Sequence, residues 1–292
     1  MSLRRSSGSL GSLCLFYKAD VVVFCEGGES IDVARALSFS ATEPSLDAIY
    51  WSNIASLGGS AKKFHFKSVG CKDTLIKIAS DVLTDKIDTV TICMDSDYDG
   101  TLDRRISGER VAYTHGYSWE SDVLSRETIS ELVGIFVGPH RDDINGDLEL
   151  VIAEFEIQMI KWCEIDIALK SASEKCVFDR KKPFSSVCLT DGVFSPNEEL
   201  LSRRLGELGY VRGPKRKITV TKENVLQTAF GKMVSKYLYH TIVSFVRKIF
   251  PKFRIDYDNF MRIAIRETFS LINSGGLIYL REHISGYSRA FR

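Results

Sequence analysis

The sequence predicts an α/β fold in which a mostly parallel sheet is flanked by helices and followed by a mainly helical region. Two observations predict this fold. In the first half of the chain, short runs rich in β-branched residues alternate with segments of helical periodicity, which is typical of a parallel sheet. In the second half, apolar residues recur at spacings of three and four, which is typical of helices packed on a core.

The composition is typical of a soluble globular protein. Of the 292 residues, 44% are hydrophobic, 26% are charged and 11% are aromatic. No apolar run approaches the ~20 residues that span a bilayer. The seven cysteines include no Cys-x-x-Cys pair, which argues against a zinc ribbon or a disulfide scaffold and indicates a reducing compartment. We therefore expect a cytoplasmic protein.

The first predicted strand ends at a candidate catalytic residue. Residues 1–18 are basic and rich in serine, and we expect them to form a flexible leader. A strand is predicted over Asp20–Cys25, after which Glu26 and two glycines lead to Ser30, the predicted cap of a helix over Ile31–Ser38. Glu26 therefore follows the carboxyl end of a strand, where open α/β sheets bind their ligands.

Three weaker segments separate this strand from the next motif. They are a short strand or turn over Ala48–Ile54, a strand over Lys62–Phe66 and a helix over Asp73–Leu83. Together with the strands on either side, they complete the alternation of strands and helices that predicts a parallel sheet.

The next strand ends in three aspartates. The run Thr89–Met94 is rich in β-branched residues, and Asp95, Asp97 and Asp99 follow it at spacings of two. While the chain stays extended, side chains two residues apart point the same way, so the three carboxylates would repel each other. A divalent cation relieves that repulsion, and oxygen ligands select a hard cation such as Mg²⁺ or Mn²⁺.

Other interpretations of this cluster compete with a metal site. Aspartate and glycine are ordinary turn formers, so a solvated acidic turn stays open. An EF-hand loop is set aside because Ile106 occupies the twelfth position, where a bidentate Glu is needed. The sequence from Asp97 to Thr101 also matches the motif of the nucleophile loop of haloacid-dehalogenase phosphatases. That loop usually follows the first strand of its domain, so this interpretation, with Asp97 as nucleophile, is the alternative.

The segment after the aspartates offers two more carboxylates. A short strand is predicted over Val111–Thr114, and Glu120 and Asp122 follow it. They are candidate additions to the metal site. Ser118 would equally well cap a helix here, with the two acidic residues favoured in its first turn by the helix dipole. Both interpretations stay open.

The second half of the chain is predicted to be mainly helical. Residues 171–195 are expected to be irregular. Helices are predicted over Asp147–Lys170, Pro196–Leu208, Thr221–Phe250, Asp256–Ile272 and Gly276–Ile284.

Charge is distributed unevenly along the chain, although the net charge is only +1. Residues 201–292 hold 18 basic residues (Lys and Arg) and 6 acidic ones (Asp and Glu). The rest of the chain holds 21 basic and 32 acidic residues. We expect an α/β catalytic domain over residues 1–145 and a mainly helical, basic region over 146–292 that binds the substrate and dimerises. The alternative is that the two halves pair with each other or with a partner protein. The candidate nucleic-acid contacts are Arg212, Lys215, Arg216, Lys217 and Lys232.

The order of these motifs resembles the TOPRIM domain of topoisomerases, primases and OLD-type nucleases. That domain has a strand ending in Glu-Gly and a later strand ending in Asp-x-Asp, which here are Glu26-Gly27 and Asp95-Ser96-Asp97. The wider pattern is similar to AriB-like nucleases, the effectors of PARIS anti-phage systems. It also includes Asp99, the segment Thr114–Glu120, Trp162 in a long helix and Gly231-Lys232.

The resemblance implies catalytic residues and a cofactor. Glu26 would be the acid/base residue and a metal ligand, and Asp95 and Asp97 would be catalytic metal ligands. Asp99 and Glu120 are further candidate ligands, and the expected cofactor is Mg²⁺ or Mn²⁺. Related turns often place an acidic residue four positions after the glutamate, a position that Ser30 occupies here, with Asp32 two residues further on.

The resemblance also implies partners and a substrate. Effectors of this type are held inactive by an AriA-like ABC-type ATPase and released by a phage protein trigger. The released effector dimerises and cleaves host tRNA, which stops translation and aborts infection. We therefore expect a metal-dependent endonuclease. The alternatives are a phosphatase of the haloacid-dehalogenase type, a TOPRIM DNA nuclease and a non-catalytic partner that docks a basic protein through its acidic sheet.

Overall fold

The computed structural model describes residues 8–38, 45–58, 60–190, 192–210, 220–287 and 289–291. Contacts divide the described chain into two compact units. Unit 1 runs to Ser96 and also includes Arg105–His115 and the residues from Ile272 onward. Unit 2 comprises Asp97–Arg104 and Gly116–Leu271. The chain therefore enters unit 2 twice and ends in unit 1, whereas the sequence predicted a single division between residues 145 and 146.

Unit 1 contains a four-stranded parallel sheet, which confirms the predicted α/β class. Its strands are β1 (Val21–Cys25), β2 (Phe64–Ser68), β3 (Val90–Met94) and β4 (Val111–Tyr113). They lie in the order β2-β1-β3-β4, and every neighbouring pair is parallel. The two central strands, β1 and β3, are buried along their whole length. Strands covered on both faces need side chains that are apolar throughout or small, and these runs supply them.

Helices account for most of the remaining described chain. In unit 1 the first five are α1 (Gly8–Gly11), α2 (Leu13–Tyr17), α3 (Val33–Ala36), α4 (Leu46–Leu57) and α5 (Lys72–Thr84). Those that follow are α6 (Trp119–Val123), α7 (Arg126–Val137), α8 (Arg141–Ser173), α9 (Glu198–Glu207), α10 (Val225–Thr228), α11 (Gly231–Ile249), α12 (Tyr257–Asn273) and α13 (Ile278–Gly286). Of these, α6 to α11 lie in unit 2 and α13 lies in unit 1.

The start of the described chain differs from the expected flexible leader. Residues 8–11 and 13–17 are helical, and Leu10 and Leu13 are each only 2% exposed. Both side chains belong to a cluster of buried residues that also contains Val22 of β1 and Val90 of β3. Apolar burial of this kind outweighs the polar composition of the segment.

The stretch predicted as a short strand or turn is the helix α4. Ser45 is its N-cap, and the Ser45 hydroxyl accepts a hydrogen bond from the N–H of Ala48 at 3.2 Å. The buried residues Trp51, Ile54 and Ala55 recur at spacings of three and four. That helical period decides the structure, because it brings these residues to one face.

Two further predictions about the second half are corrected. The stretch 171–195 is not wholly irregular, because β5 (Val187–Thr190) and β6 (Val193–Pro196) form an antiparallel hairpin, and Pro196 ends β6 instead of opening a helix. The predicted single helix over 221–250 is divided into α10 and α11. The division falls at Ala229 and Phe230, whose backbones are not helical.

The remaining helices of the second half are confirmed, although their bounds differ. The longest, α8, begins six residues earlier than predicted, at Arg141. The helix α7, from Arg126 to Val137, was not predicted. Within the described ranges, no helix combines the length and the apolar character that crossing a membrane requires. All seven cysteines lie in these ranges and are free thiols.

Candidate active site

Unit 1 brings Glu26 and Asp95 together at one edge of the sheet. β1 and β3 are adjacent and parallel, with Cys25 opposite Cys93, so their carboxyl ends meet. The backbone N–H of Asp95 donates a hydrogen bond to Oε1 of Glu26 at 3.1 Å. Both acidic residues are half-buried. The two acidic strand ends therefore converge, as expected for neighbouring strands of a parallel sheet.

The turn after Glu26 brings in a third carboxylate. Gly27 has a φ of 98°, and a Cβ atom at this position would lie 2.2 Å from Oδ2 of Asp47. Only glycine permits both this backbone conformation and this close approach. Burial raises the pKa of the Cys25 thiol, and the charges of Asp47, Glu26 and Asp95 raise that pKa further. Three carboxylates therefore lie within electrostatic reach of the end of β1.

Sequence reasoning missed Asp47, which lies in the first turn of α4. The signal was present, because a serine followed within two residues by an acidic residue is typical of a helix N-terminus. The signal was not used because residues 48–54 were predicted as a short strand or turn and not as a helix.

Two cations lie beside the backbone of the Asp95 turn. The ammonium of Lys72 donates to the carbonyl oxygen of Asp95 at 2.6 Å, and Nη2 of Arg105 donates to the hydroxyl of Ser96 at 2.6 Å. The same two cations lie 5.8 Å and 5.2 Å from the centre of the Tyr113 ring. These contacts hold the chain at the end of β3 and place positive charge beside it.

Unit 2 begins at Asp97, and the chain turns there. Asp97 has a φ of 47°, and its N–H donates to the carbonyl oxygen of Tyr117 at 2.7 Å. The carbonyl oxygen of Asp99 accepts a hydrogen bond from the N–H of Arg104 at 2.8 Å. The expectation that the three aspartates alternate along an extended chain is therefore wrong from Asp97 onward. Between the two half-buried aspartates, Tyr98 is only 1% exposed.

The two acidic residues of α6 have different surroundings. Asp122 accepts a hydrogen bond from the N–H of Gly116 at 2.6 Å, so its carboxylate holds a backbone turn. Glu120 is 3% exposed and accepts a hydrogen bond from the Ser118 hydroxyl at 2.5 Å. Ser118 occupies the N-cap position, but its side chain makes no capping hydrogen bond. The acidic residues do lie in the first turn of a helix, as the second interpretation expects.

Glu120 has charged neighbours within unit 2. Burial raises the pKa of Glu120, whereas the Ser118 hydrogen bond and the charge of Lys232 lower it, and the charge of Asp97 raises it again. Asp97 also raises the pKa of the buried Tyr117 phenol, after the larger effect of burial. Asp97, Glu120 and Lys232 are therefore electrostatic neighbours.

The candidate nucleic-acid contacts are only partly described. Lys232 is exposed in the first turn of α11. The other four, Arg212, Lys215, Arg216 and Lys217, lie outside the described residues.

The first turn motif differs from the prediction at its helix cap. The N-cap of α3 is Asp32, whose Oδ1 accepts a hydrogen bond from the N–H of Arg35 at 2.7 Å. Ser30 was predicted to take this role. Because Asp32 caps the helix, its carboxylate satisfies a backbone donor that would otherwise have no partner within the helix.

The donors at the edge of the sheet in unit 1 fit a hard cation. Glu26 and Asp95 supply only carboxylate oxygens, which are the ligands that Mg²⁺ prefers. Across the described ranges, no group of three or more His, Cys, Asp and Glu side chains is arranged to hold a metal ion. Mg²⁺ commonly takes one or two carboxylates from a protein and fills its other positions with water and substrate phosphate.

Comparisons with known proteins identify no family. No family model matches the chain. No match is found among curated proteins. The TOPRIM resemblance therefore depends on the sequence motifs and stays a prediction.

Proposed function

We propose that the chain is a metal-dependent TOPRIM ribonuclease of the AriB-like type, a cytoplasmic effector that cleaves host tRNA during phage infection. One observation carries the proposal. The carboxylates Glu26 and Asp95 follow two adjacent parallel strands, and a hydrogen bond from the Asp95 N–H to Glu26 joins the two strand ends. The edge where parallel strands end is the usual place for a ligand in an open α/β sheet.

The residues at this edge support phosphodiester hydrolysis. Bound Mg²⁺ would neutralise phosphate charge and lower the pKa of a coordinated water. Asp95 would be a ligand of the ion, and Asp97 is the second ligand that the resemblance implies. Glu26 would transfer a proton, an effect of about 10²–10⁴-fold on the rate. Lys72, whose ammonium lies 2.6 Å from the Asp95 carbonyl oxygen, adds positive charge where a phosphate would bind.

The charge distribution supports a polyanionic substrate. Residues 201–292 hold three times as many basic residues as acidic ones, 18 against 6. Such an excess favours the sugar-phosphate backbone and has no use in a phosphatase that acts on small molecules. The choice of tRNA, the inhibitory AriA-like ATPase, the phage trigger and the active homodimer come from the resemblance and belong to the proposal.

The proposal is tested by examining small RNA from cells that express the chain with its ATPase partner and trigger. We expect tRNA-sized fragments from the wild type and none from Glu26→Ala. The matched control is Glu29→Ala, because Glu29 is acidic and close in sequence but its side chain is 73% exposed and bound to Arg35. The control should cleave like the wild type. Intact RNA in all lanes, together with growth arrest, would contradict the ribonuclease.

A purified sample distinguishes the alternative activities. Wild-type protein with Mg²⁺ is incubated separately with tRNA, plasmid DNA and p-nitrophenyl phosphate. We expect cleavage of tRNA, abolished by EDTA and restored by Mn²⁺. Cleavage of DNA alone would indicate a TOPRIM DNA nuclease, and release of nitrophenol alone a phosphatase. Full activity in an Asp95→Asn, Asp97→Asn double variant would contradict the proposed metal site.

A further inference from the structure

A ring of hydrogen bonds in unit 2 encloses the turn at Asp97. The Tyr98 hydroxyl donates to Oδ2 of Asp166 at 2.9 Å, and Nη2 of Arg180 donates to the same oxygen at 3.0 Å. Nη1 of Arg180 donates to the Tyr117 hydroxyl, and the Tyr117 carbonyl oxygen accepts the Asp97 N–H at 2.7 Å. Since Tyr98 is bonded covalently to Asp97, the ring closes. We call these five residues the Asp166 ring.

The centre of the Asp166 ring is buried. Asp166 is fully buried, and its second oxygen, Oδ1, accepts the N–H of Val177 at 2.6 Å. The guanidinium of Arg180 lies 4.2 Å from the centre of the Phe230 ring. Asp166 is buried, whereas the Arg180 side chain is 33% exposed, and the cost of removing the Asp166 charge from water offsets much of the attraction between the two charges. What the pair does supply is a defined geometry, since each donor and acceptor has one fixed position.

The backbone at Asp97 needs such support. A φ of 47° lies in the left-handed region, which costs free energy for a residue with a Cβ atom, although aspartate adopts it more often than most residues do. A conformation of this kind persists only where the surrounding structure holds it, and it is concentrated at functional sites. The Asp166 ring holds the turn from both sides, through the Asp97 N–H and through the next side chain, Tyr98.

We propose that Asp166 and Arg180 are positioning residues, which hold the Asp97 turn in the conformation that metal binding requires. This inference rests on the proposed function, in which Asp97 is a metal ligand. The two residues act through Tyr98 and Tyr117 and do not touch the metal or the substrate. Supporting residues of this kind commonly change metal affinity by about 10–100-fold when they are replaced.

The test uses the full-length chain and two variants that preserve side-chain shape, Tyr98→Phe and Asp166→Asn. The matched control is Tyr237→Phe, which removes the hydroxyl of another fully buried tyrosine in unit 2, one that donates to the carbonyl oxygen of Val151. Free Mn²⁺ is measured by electron paramagnetic resonance during titration, so metal binding is read without activity. The Mg²⁺ concentration for half-maximal tRNA cleavage and the melting temperature are measured on the same samples.

We expect both ring variants to weaken Mn²⁺ binding by about 10-fold or more and to raise the half-maximal Mg²⁺ concentration correspondingly. Tyr237→Phe should change neither the Mn²⁺ affinity nor the half-maximal Mg²⁺ concentration, even if its melting temperature falls as much as those of the ring variants. Wild-type Mn²⁺ affinity in a folded Tyr98→Phe variant would overturn the inference and leave the nuclease intact. A wild type that neither binds Mn²⁺ nor cleaves RNA would overturn the proposed function, and this inference with it. If Asp166→Asn does not fold, the Mn²⁺ affinity of Tyr98→Phe alone tests the inference.

Discussion

At the scale of single residues, each unit has one unusual backbone conformation at or beside a predicted site residue. Gly27 has a φ of 98° and lies against the carboxylate of Asp47, directly after Glu26. Asp97 has a φ of 47° and is held by the Asp166 ring. The first position needs glycine, whereas the second depends on its neighbours. The sequence indicates a turn at both places but does not indicate what holds each turn.

Gly27→Ala should destabilise the protein. The new Cβ would approach the Asp47 carboxylate to 2.2 Å in a backbone conformation that alanine rarely adopts, so we expect a loss of roughly 1–3 kcal/mol in the free energy of unfolding. Gly146→Ala is the control, because Gly146 lies inside α8 with open space around it and should gain roughly 0.5–1 kcal/mol. Urea denaturation measures both. A Gly27→Ala variant that is as stable as the wild type, or more stable, would contradict the requirement for glycine at this position.

At the scale of elements, α11 packs against the short 3-10 helix Pro183–Ser186 and the hairpin β5–β6. His240 of α11 is half-buried, with its ring 4.5 Å from that of Phe184 and 5.8 Å from that of Phe194. Burial lowers the pKa of His240, and the charges of Lys236 and Arg247 lower it further. The neutral imidazole is therefore the form that fits this packing.

This packing predicts sensitivity to acid. Above the ordinary pKa of 6.5, His240 is neutral in both the folded and the unfolded chain. As the pH falls below that value, the unfolded chain takes up the proton first, so folded stability decreases. His240→Phe should remove this contribution, and its stability should fall less between pH 7 and pH 5 than that of the wild type. Urea denaturation at both pH values measures the difference.

A suitable control for this prediction is His140→Phe. His140 is a partly exposed surface residue whose ring pairs with Asp143 at 3.0 Å. Its replacement should leave the contribution of His240 in place. If His240→Phe loses as much stability on acidification as the wild type, the packing of α11 does not depend on the neutral ring.

Several elements were predictable from local pattern, and others were not. The strands β1, β3 and β4 and the helices α5, α8, α12 and α13 follow from apolar runs and helical periodicity, which are local properties. The hairpin β5–β6 was not predicted because only two of its eight strand residues are buried and the burial does not alternate along either strand. The leader escaped because Leu10 and Leu13 gain their burial from residues distant in sequence.

At the scale of the whole molecule, the opposite charges of the two parts of the chain bear on the proposed binding of RNA. The excess of basic residues in 201–292 is offset by an acidic excess elsewhere, so the net charge of +1 conceals it. A protein that contacts phosphates releases counterions from the nucleic acid, which makes its affinity depend steeply on salt.

We expect Lys232→Met to weaken tRNA binding and to reduce the slope of log affinity against log salt by roughly 1, as the loss of one phosphate contact predicts. Lys77→Met is the control, because Lys77 is an exposed lysine on α5 in unit 1 and carries the same charge change. Filter binding to tRNA over a range of KCl concentrations measures both slopes. If both lysines change the slope equally, the contact at Lys232 is not specific.

The sequence by itself determined the α/β class, the acidic residues at two strand ends and the uneven distribution of charge. These are properties of neighbouring residues, so periodicity and composition reveal them. The convergence of Glu26 with Asp95 was also predictable, because parallel strands place their carboxyl ends at one edge.

Only the tertiary structure decided how the turns around these carboxylates are held. Asp47 reaches Gly27 from α4, and Asp166 reaches Tyr98 across 68 positions of the chain. It also decided that the end of the chain returns to unit 1, where α13 lies. The physical reason is the same in each case. Which distant side chains meet depends on how apolar surfaces pack, and packing depends on the whole chain at once.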